Sequence, residues 1–551
     1  MARYTIGVDF GTLSVRALVA DVEDGTELAC TSFEYPHAVM TEQLPDGTPI
    51  KPDWALQHPQ DYLDGIQYVV QNAVFKAGIS VDDVIGIGID FTSSTSLPVN
   101  GNGSPLCLDP AFSTNPYAWP MLWKHHAAQE YANRMTQAAQ DRGEELLKRC
   151  GGRISSEMMF PRLWQIAAEA PEVYEAAERF VEAGDWIIQQ MTGTRVCSMN
   201  PASYKLFWTQ EIGYPSAAFF TALDHRLEKA TSKVSDQLLP LGSKAGELNE
   251  YGAALTGLKP GTPISVTCID AHTALPAAGV AEGGKLLLIL GTSAAHLVLD
   301  EKEHEVKGIL CMAKDGMIPG WYAYEAGQSC CGDHFNWFAN HYVPACYEQE
   351  AKEHGIGLQQ LLTQKAALLH PGESGLLALD WWNGNRSVLM DSELSGMLVG
   401  LTLQTKPEEI YRALVEATAY GTRMILENFE ASGIRIHQVY VGGGIARKNP
   451  MLMQIYADVL QRELRIVRSE QANALGTAIF AAVAAGKEKG GYASIADAAH
   501  VMGGTSGIVY KPDGENAAVY DELYEEYQKL HDFFGRGGSE IMHRLKDAII
   551  P

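Results

Sequence analysis

TIGVDFGTLSVRALVAD, residues 5–21, has two runs of β-forming residues on either side of a glycine-containing turn segment, GVDFGT. This pattern predicts one strand, a tight turn and a second strand. Asp9 falls near the end of the first run, where a carboxylate among apolar residues needs a partner or a function. Asp9 and Thr12 could also serve only the turn, because Asp, Gly and Thr are ordinary turn residues.

A second segment repeats this pattern. KLLLILGTSAAHLVLD, Lys285–Asp300, again has an apolar strand, a Gly-Thr turn and an apolar strand that closes with Asp. The repeat favours two duplicated domains, with two unrelated turns as the alternative. Glycine turns expose backbone N–H groups, and the hydroxyls of Thr12, Thr292 and Ser293 add donors, so two facing turns could bind a polyphosphate. A carboxylate beside phosphates needs a hard cation between them, which predicts Mg²⁺ at Asp9.

Strands and helices alternate in both halves of the chain. Residues 58–78 have apolar side chains at helical spacing and precede the strand-like run VIGIGIDF, whereas residues 437–460 have the order strand, glycine loop, helix. This order predicts an α/β fold. We expect an N-terminal lobe over residues 1–280, a C-terminal lobe over 281–490, and a helical tail over 491–551 packed on the lobes.

Composition and charge exclude several classes of protein. The chain has 551 residues, more than one hydrophobic core usually supports, so two domains are expected. Its 42 basic and 67 acidic residues give a net charge of −25, which disfavours binding to nucleic acid or to an anionic membrane surface. The chain has no apolar run of membrane-spanning length and its start does not resemble a signal peptide, which predicts a cytoplasmic protein.

Cysteines and standard nucleotide motifs give little further guidance. The nine cysteines are scattered and are typical of small buried apolar residues. Only CCGDH, Cys330–His334, suggests a metal, and its spacing is not the usual zinc pattern. The chain has neither a P-loop nor a GxGxxG segment after a strand. The run Gly442–Gly444 would instead let a flat ligand such as adenine approach the backbone.

Four segments carry a resemblance to a known family. They are GVDFGT, ILGTS, VGGGIARKNPML and GMLVGLTLQTKPEEIYRALVE, and together they span nearly the whole chain. In this order they resemble the FGGY carbohydrate kinases, members of the actin-like and hexokinase-like superfamily. The resemblance implies two ribonuclease-H-like lobes with a nucleotide cleft between them, ATP and Mg²⁺ as cofactors, and a small sugar as substrate. It leaves a homodimer open, because relatives are commonly dimers.

The resemblance also identifies a catalytic aspartate. Asp270, in SVTCIDAHTALPAAG, follows an apolar strand and matches the family's base for the attacking sugar hydroxyl. Phosphoryl transfer needs such a base besides positioning and charge neutralisation. The alternative is that Asp270 only caps the following helix, since Asp is a common N-cap residue.

Further binding residues come from matching family positions. The sugar contacts implied are Ser93, Ser94, Trp123, Lys205, Asp270 and Glu325. The nucleotide contacts implied are Gly11, Thr12, Gly291, Thr292, Ser293, Gly332, Gly443, Gly444 and Asn449, with Asp9 holding the metal. Trp123 could instead belong to the core, Lys205 could be a solvated charge, and Asn449 could cap a helix. Glu325 could be a structural partner of a cation elsewhere in the chain.

The resemblance extends to the substrate. IGIDFTSSTSLPV and CIDAHTALPAAG are most similar to the family members that phosphorylate the 5-hydroxyl of L-ribulose in L-arabinose breakdown. Another pentulose or pentitol, such as xylulose, D-ribulose or ribitol, stays open, because single hydrogen bonds decide stereochemistry. An actin-like or Hsp70-like ATPase would share the phosphate hairpins, but the chain after Gly486 is too short for a substrate-binding domain.

Overall fold

The structure is a computed structural model that describes residues 2–234 and 237–548. Up to residue 280 the strands are β1 (Tyr4–Phe10), β2 (Ser14–Asp21), β3 (Glu27–Glu34), β4 (Val84–Phe91), β5 (Ser96–Val99), β6 (Arg179–Glu182), β7 (Cys197–Ser198), β8 (Leu238–Leu239), β9 (Lys244–Glu247), β10 (Pro263–Ser265) and β11 (Cys268–Ile269). The helices of this part are α1 (Pro59–Ala77), α2 (Gln129–Arg142), α3 (Leu146–Arg149), α4 (Met159–Glu169), α5 (Pro171–Ala176), α6 (Ala183–Thr192), α7 (Met199–Lys205), α8 (Ala217–Leu223), α9 (Glu250–Thr256) and α10 (Asp270–Ala277).

The same alternation continues after residue 280. The strands are β12 (Lys285–Leu290), β13 (Ala294–Asp300), β14 (Cys311–Lys314), β15 (Tyr322–Gln328), β16 (Leu377–Leu379), β17 (Met397–Val399), β18 (Gln438–Gly442), β19 (Leu464–Val467) and β20 (Thr505–Tyr510). The helices are α11 (Gly332–Tyr342), α12 (Ala345–Glu353), α13 (Leu358–Ala366), α14 (Pro407–Ala431), α15 (Gly444–Lys448), α16 (Pro450–Leu460), α17 (Ala472–Ala485), α18 (Ile495–Met502), α19 (Gly514–Gly535) and α20 (Ile541–Asp547).

Two seven-stranded sheets share one topology. The first has the order β3-β2-β1-β4-β10-β9, with β11 also paired to β4, and the second has the order β14-β15-β13-β12-β18-β19-β20. In each sheet an antiparallel hairpin, β1–β2 or β12–β13, lies beside a parallel strand, β4 or β18. The duplication and the α/β fold predicted from the sequence are therefore confirmed.

Helix α1 shows how local sequence sets an element. His58 caps its N-terminus by accepting the Gln60 N–H, Pro59 occupies the first turn, and Gly78 ends it in the left-handed conformation, with φ of 65°. The apolar stripe predicted at helical spacing packs on the first sheet, where Ile66 and Val69 are fully buried. The helix predicted over residues 58–78 is confirmed.

Helix α17 departs from the expected division at residue 280. It belongs to the stretch expected in the C-terminal lobe, yet it packs across β1 and β4 of the first sheet. Glycines make this close approach possible, because a methyl group at Gly7 would overlap the carbonyl oxygen of Ala474. The helix is rich in alanine and is buried on nearly every side, so it fits between that sheet and α10.

The tail also differs from expectation. Residues 505–510, expected in a helical tail, form β20, which pairs antiparallel with β19 at the edge of the second sheet. The β-branched run around Ile508 and Val509 suits such an edge strand. The remainder is helical, and α19 packs through its buried Tyr520, Tyr524 and Tyr527. Among the described residues, none of the helices combines the length and apolarity that a membrane crossing requires.

Candidate active site

Each of the two hairpin turns is closed by a backbone hydrogen bond from its glycine. In the first turn the Gly11 N–H donates to the Ser14 carbonyl over 2.9 Å, and in the second the Gly291 N–H donates to the Ser293 carbonyl, also over 2.9 Å. The flanking strands are buried, but Gly11, Gly291 and Ser293 are partly accessible. Both turns can therefore be reached by a ligand, while the N–H groups of Gly11 and Gly291 are engaged within the turns.

One cavity is lined by both halves of the chain. From the first sheet it takes Asp9 and Arg16, and from the second it takes Ile289 and Gly443. The segment that leads into α17 closes its side with Glu470, Gln471, Ala472 and Asn473. The expected cleft between the lobes is thus present, with Asp9 on one wall.

The predicted nucleotide residues of the second lobe converge. The Gly332 N–H donates to the Gly291 carbonyl over 2.9 Å, and the neighbouring Cys331 N–H donates to the Thr292 carbonyl over 2.7 Å. Gly443 has φ of 94° and lies against the end of β12, where a methyl group would overlap the Leu290 carbonyl. Gly444 is exposed beside it. Three glycine-containing segments therefore meet at the carboxyl ends of β12 and β18 in the second sheet.

Asn449 has the structural role considered for it. Its Oδ1 accepts the Leu452 N–H over 3.0 Å and caps α16, and its Nδ2 donates to Thr363 Oγ1 over 3.4 Å. The side chain is buried. One bond at each of its polar atoms is therefore used within the lobe, and the amide keeps further hydrogen-bonding capacity.

A cluster of carboxylates lies on the first-lobe side of the cavity. Asp9 and Asp90 are register neighbours on the parallel strands β1 and β4, and Arg16 Nε lies 3.4 Å from Asp9 Oδ2. Burial raises the pKa of Asp9, and the charge of Arg16 opposes that rise. Burial and the charge of Asp9 raise the pKa of Asp90 well above its usual range. Thr477 of α17 donates a hydrogen bond to Asp90.

The sequence reasoning missed Asp90, although a signal existed. GVDF and GIDF repeat the pattern Gly-x-Asp-Phe on two strands that are paired in register, and the rings of Phe10 and Phe91 stack 5.0 Å apart. A comparison of the two tetrapeptides would have placed a second carboxylate beside Asp9.

Asp270 lies between the carboxylate cluster and a second group of charges. It is the first residue of α10 and not its N-cap, which is Ile269. Its Oδ1 accepts the Ala271 N–H over 2.7 Å. Burial, with the negative charge of Asp9 as the next contribution, raises the pKa of Asp270 to about 7. The positive charge of Lys205 acts in the opposite direction.

Lys205 is held by an ion-pair network and is not a solvated charge. Its side chain is 8% exposed, and its Nζ lies 3.6 Å from Glu157 Oε2. Arg386 of the second lobe pairs with the other oxygen of Glu157 over 2.7 Å. Glu157 thus links the two lobes and positions Lys205. Neither Glu157 nor Arg386 has a local sequence signal, because they lie far apart in the chain.

Glu325 has a histidine as its main partner. His272 Nε2 lies 3.3 Å from Glu325 Oε2, and the Asn200 amide donates to His272 Nδ1 over 2.9 Å. Burial alone would raise the pKa of Glu325, but the hydrogen bond from His272 and the positive charges of Lys205 and Arg386 bring it to about 2. Glu325 is therefore an ionised acceptor near Asp270. The sequence reasoning did not select His272 or Asn200.

Residues 92–95, between β4 and β5, form a loop that contains Ser93 and Ser94 and is called the serine loop here. It contains polar atoms without partners among the described residues. Ser93 Oγ and Ser94 Oγ are buried and make no hydrogen bond within the part of the chain that the structure describes. Arg162, itself fully buried, donates to the Ser94 carbonyl and to the Leu122 carbonyl, so the loop is rigidly held. Buried hydroxyls without partners are unfavourable, so these two groups are available to a ligand.

Trp123 lies beside the first hairpin turn and is not fully buried. Its Nε1–H donates to Thr12 Oγ1 in that turn over 3.1 Å. Gln57 Nε2 donates to the Thr12 carbonyl over 2.8 Å from the other side. Arg162 contacts both the serine loop and Leu122. Trp123, the residue after Leu122, contacts Thr12, so the serine loop is linked to the first hairpin turn.

The CCGDH segment is not arranged as a metal site. Cys330 and Cys331 are buried, and burial raises the pKa of both thiols to about 12. His334 Nε2 lies 3.3 Å from the Leu414 carbonyl, as expected of a donated hydrogen bond. Neutral thiols are poor metal ligands, and these residues are not among the metal-ligand clusters of the described part of the chain.

Comparison with known proteins agrees with this geometry. Residues 4–276 match the model of the N-terminal domain of the FGGY family of carbohydrate kinases, and residues 286–485 match that of its C-terminal domain. The chain is 50% identical over 546 residues to a ribulokinase of Geobacillus thermodenitrificans, covering 99% of this chain and 97% of that protein. It is 52% identical over 547 residues to a ribulokinase of Halalkalibacterium halodurans, with the same two coverages, 99% and 97%.

Solved structures show the same fold. A xylulose kinase from Rhodospirillum rubrum is similar with a TM-score of 0.78 at 25% identity, covering 96% of this chain and 98% of that chain. A gluconate kinase from Lactobacillus acidophilus is similar with a TM-score of 0.81 at 17% identity, covering 98% and 99%. With both family domains matched and relatives at half identity over nearly the full length, the chain belongs to the FGGY family of carbohydrate kinases and is an ATP-dependent sugar kinase.

Proposed function

We propose that this sugar kinase transfers the γ-phosphoryl group of ATP to the 5-hydroxyl of L-ribulose, a step of L-arabinose breakdown. The relatives named ribulokinase support the sugar class, since they match at about half identity over nearly the whole chain. The observation that carries the proposal is Asp270 at the start of α10, near enough to Asp9, Glu325 and Lys205 for their charges to influence the pKa of its carboxyl.

In this proposal Asp270 is the general base. An ionised Asp270 accepts the proton of the attacking hydroxyl as that oxygen bonds to phosphorus. Its pKa of about 7 leaves a substantial ionised fraction near neutral pH, and it makes the carboxylate a better proton acceptor than an ordinary aspartate. Burial of the site excludes water, which would compete with the sugar as the acceptor.

Sugar recognition falls to the groups around Asp270. The buried hydroxyls of Ser93 and Ser94 have no hydrogen-bond partner among the described residues. Lys205 offers a charged donor and Glu325 a charged acceptor. A sugar with several hydroxyls suits such a set, because each polar group can be satisfied on binding. Trp123 provides an apolar face at the edge of the site.

We infer that the nucleotide binds to the two glycine turns and to the loop at Gly443 and Gly444. Gly11 and Thr12 would bind its phosphates from one side and Gly291, Thr292 and Ser293 from the other. Gly332, Gly443 and Gly444 leave room for the rest of the nucleotide, and Asn449 borders that edge. Backbone N–H groups in such turns are suited to anions.

The carboxylate cluster fits a divalent cation. Asp9 faces the cavity, and a buried carboxylate with a raised pKa gains from a cation that stabilises its ionised form. Asp90 Oδ1 is buried without a partner within the described residues. Bound Mg²⁺ would supply charge neutralisation between Asp9 and the phosphates. Arg16 contributes a second positive charge at the same wall.

The proposal also covers the domain division, the location and the oligomeric state. The chain is divided into an N-terminal lobe over 1–280, a C-terminal lobe over 281–490 and a tail over 491–551, except that α17 packs on the first sheet and β20 joins the second sheet. The net charge of −25 supports a protein without a nucleic acid partner and fits a cytoplasmic location. A homodimer would be recognised by its mass in light scattering.

The sugar is tested by a panel of substrates. ADP release is measured with Mg·ATP and L-ribulose, D-ribulose, D-xylulose, L-xylulose, ribitol or no sugar. We expect the highest kcat/KM with L-ribulose and little ADP release without sugar. A higher value with another pentulose or pentitol would reassign the substrate, and equal turnover without sugar would contradict the kinase site described here.

The base is tested by Asp270→Asn. The amide keeps the shape but cannot accept the proton, so we expect turnover to fall by about 10²–10⁴. The melting temperature and the affinity for ATP should be close to those of the wild type, because the Ala271 N–H can still donate to the side-chain oxygen. Near-normal turnover in a folded Asp270→Asn enzyme would remove Asp270 from the proposed chemistry.

A further inference from the structure

Two histidines and an aspartate converge outside the kinase site. His37 follows β3, His58 caps α1, and Asp61 lies in the first turn of α1. Each offers one ligand atom, and these atoms lie within 4.8 Å of one another. We propose that His37, His58 and Asp61 form a binding site for a transition-metal ion such as Zn²⁺ or Co²⁺.

The possible ligand atoms already lie close together. His37 Nδ1 lies 2.7 Å from Asp61 Oδ1, and the His37 backbone N–H donates to Asp61 Oδ2 over 3.0 Å. The His58 imidazole stacks on that of His37, with centroids 4.2 Å apart and planes 16° apart. The peptide N–H of Gln60 donates to His58 Nδ1 over 3.2 Å, so this nitrogen also faces the first turn of α1.

A metal fits this arrangement with a small adjustment. Zinc lies about 2.0–2.1 Å from imidazole nitrogen and carboxylate oxygen, so neighbouring ligand atoms of a tetrahedral ion are roughly 3.3 Å apart. The His37–Asp61 pair must therefore open slightly and His58 must move closer. Binding through His37 Nδ1 requires the tautomer of His37 that carries its proton on Nε2, so the hydrogen bond between His37 and Asp61 is replaced by bonds to the ion. Binding through His58 Nδ1 would also replace the hydrogen bond from Gln60.

The chemistry of the donors selects the class of metal. Two imidazoles and one carboxylate suit Zn²⁺, Co²⁺, Ni²⁺ or Cu²⁺, whereas Mg²⁺ prefers oxygen ligands only. The site is therefore distinct from the proposed Mg²⁺ at Asp9. The ion would enter from the side of His37, whose side chain is 39% exposed, while Asp61 is 3% exposed beneath it. Solvent molecules would complete its coordination.

Metal binding would join two elements. His37 belongs to the segment after β3, and the other two ligands belong to the start of α1, so an ion would cross-link them. An ion that binds only the folded chain stabilises it by mass action. We therefore expect Co²⁺ to raise the melting temperature of the wild-type protein.

The test uses tag-free full-length protein, stripped of metals with EDTA and dialysed, and titrated with Co²⁺ alone. Cobalt is chosen because its visible absorption distinguishes nitrogen and oxygen ligands from thiolates. We expect one Co²⁺ per chain, without a thiolate charge-transfer band. His37→Gln and His58→Gln should each bind at least about tenfold more weakly and lose the rise in melting temperature.

A matched control separates this site from ordinary surface histidines. His225 Nδ1 lies 3.6 Å from Asp224 Oδ1 on the surface, in a pair without a third ligand. His225→Gln should bind Co²⁺ as the wild type does. The variants of His37 and His58 should fold and keep kinase activity in Mg·ATP, since neither residue touches the proposed substrate groups. Unchanged Co²⁺ affinity in both variants, a thiolate band, or no binding by the wild type would overturn the proposal.

Discussion

Asp270 lies where two groups of charges meet, and this position controls its ionisation. Burial raises its pKa to about 7, the charge of Asp9 adds to the rise, and Lys205 opposes it. An ordinary aspartate would be fully ionised at neutral pH and a weak base. The environment of this residue thus makes proton acceptance depend on pH in the neutral range.

A pH profile follows from the raised pKa of Asp270. The base must be ionised to act, so protonation below the pKa removes activity, and kcat/KM should fall about tenfold per pH unit below roughly pH 7. The measurement is kcat/KM for L-ribulose at saturating Mg·ATP, with circular dichroism at each pH to show that the fold persists. A flat profile from about pH 5 to 8 would contradict a base with this pKa.

Glu157 is the residue that positions Lys205. Glu157→Gln removes the charge that pairs with Lys205 and with Arg386, so the buried Lys205 and the partly exposed Arg386 lose their common partner. We expect a loss of about 1.5–3 kcal/mol in the free energy of unfolding. We also expect a raised KM for the sugar. Urea denaturation and steady-state kinetics measure the two effects.

A surface glutamate offers the control. Glu211 lies 3.9 Å from both Arg149 and Lys314, but its side chain is 48% exposed. Glu211→Gln should change stability by less than about 1 kcal/mol, because exposed ion pairs contribute little. Equal losses in both variants would show that Glu157 has no special role.

At the scale of elements, the contact between α17 and the first sheet depends on glycine. Gly7 on β1, and Gly86 and Gly88 on β4, lie directly beneath the backbone of α17. The absence of side chains lets the helix approach the sheet closely enough for Thr477 to reach Asp90. Close packing of this helix therefore also sets the geometry of the carboxylate cluster.

Gly7→Ala tests this contact. The added methyl would overlap the Ala474 carbonyl, and backbone cannot yield easily, so we expect a loss of about 3 kcal/mol or more in the free energy of unfolding. Gly101→Ala is the control, because a methyl there has open space around it. Denaturant unfolding measures the stability of both variants. Equal free energies of unfolding for Gly7→Ala and Gly101→Ala would contradict the close packing of α17 on the first sheet.

At the scale of the whole molecule, the chain returns to its first lobe near its end. Leu18 and Ala20 of β2 and Ala277 of α10 form one apolar cluster with residues of α17 and α18, among them Ile479 and Met502. The lobes are also joined by the Tyr204 hydroxyl, which donates to the Ala323 carbonyl over 2.8 Å. The two lobes are therefore not independent along the sequence.

A fragment experiment tests this dependence. Residues 1–280 alone would expose the sheet face that α17 covers, so we expect no cooperative thermal unfolding for this fragment. The full chain measured in parallel should show a sharp transition. A fragment that unfolds cooperatively, as followed by circular dichroism, would show that the first lobe completes its core without α17.

Prediction from sequence succeeded where the signal is local. The hairpins around Gly11 and Gly291 follow from β-forming runs on either side of a glycine turn, and both are present. Helix α1 follows from its spacing and its Pro59 and Gly78 ends. The residue scale was partly accessible too, since Lys205 and Glu325 do lie near Asp270, although their roles stay predictions.

The misses involve contacts between distant parts of the chain. Asp90 was passed over because its importance depends on register with Asp9, and Glu157 because its partner Arg386 lies in the other lobe. The strand β20 was expected as helix because an edge strand depends on the neighbour it pairs with.

By itself the sequence determined the duplicated α/β lobes, the two glycine turns, and the positions of Asp9 and Asp270 at the ends of buried strands, because periodicity and turn chemistry act over a few residues. Only the tertiary structure decided that α17 covers the first sheet, that Glu157 joins Lys205 to Arg386, and that Asp270 has a raised pKa. These features depend on distances and burial between residues far apart in the chain, and no local pattern encodes a distance.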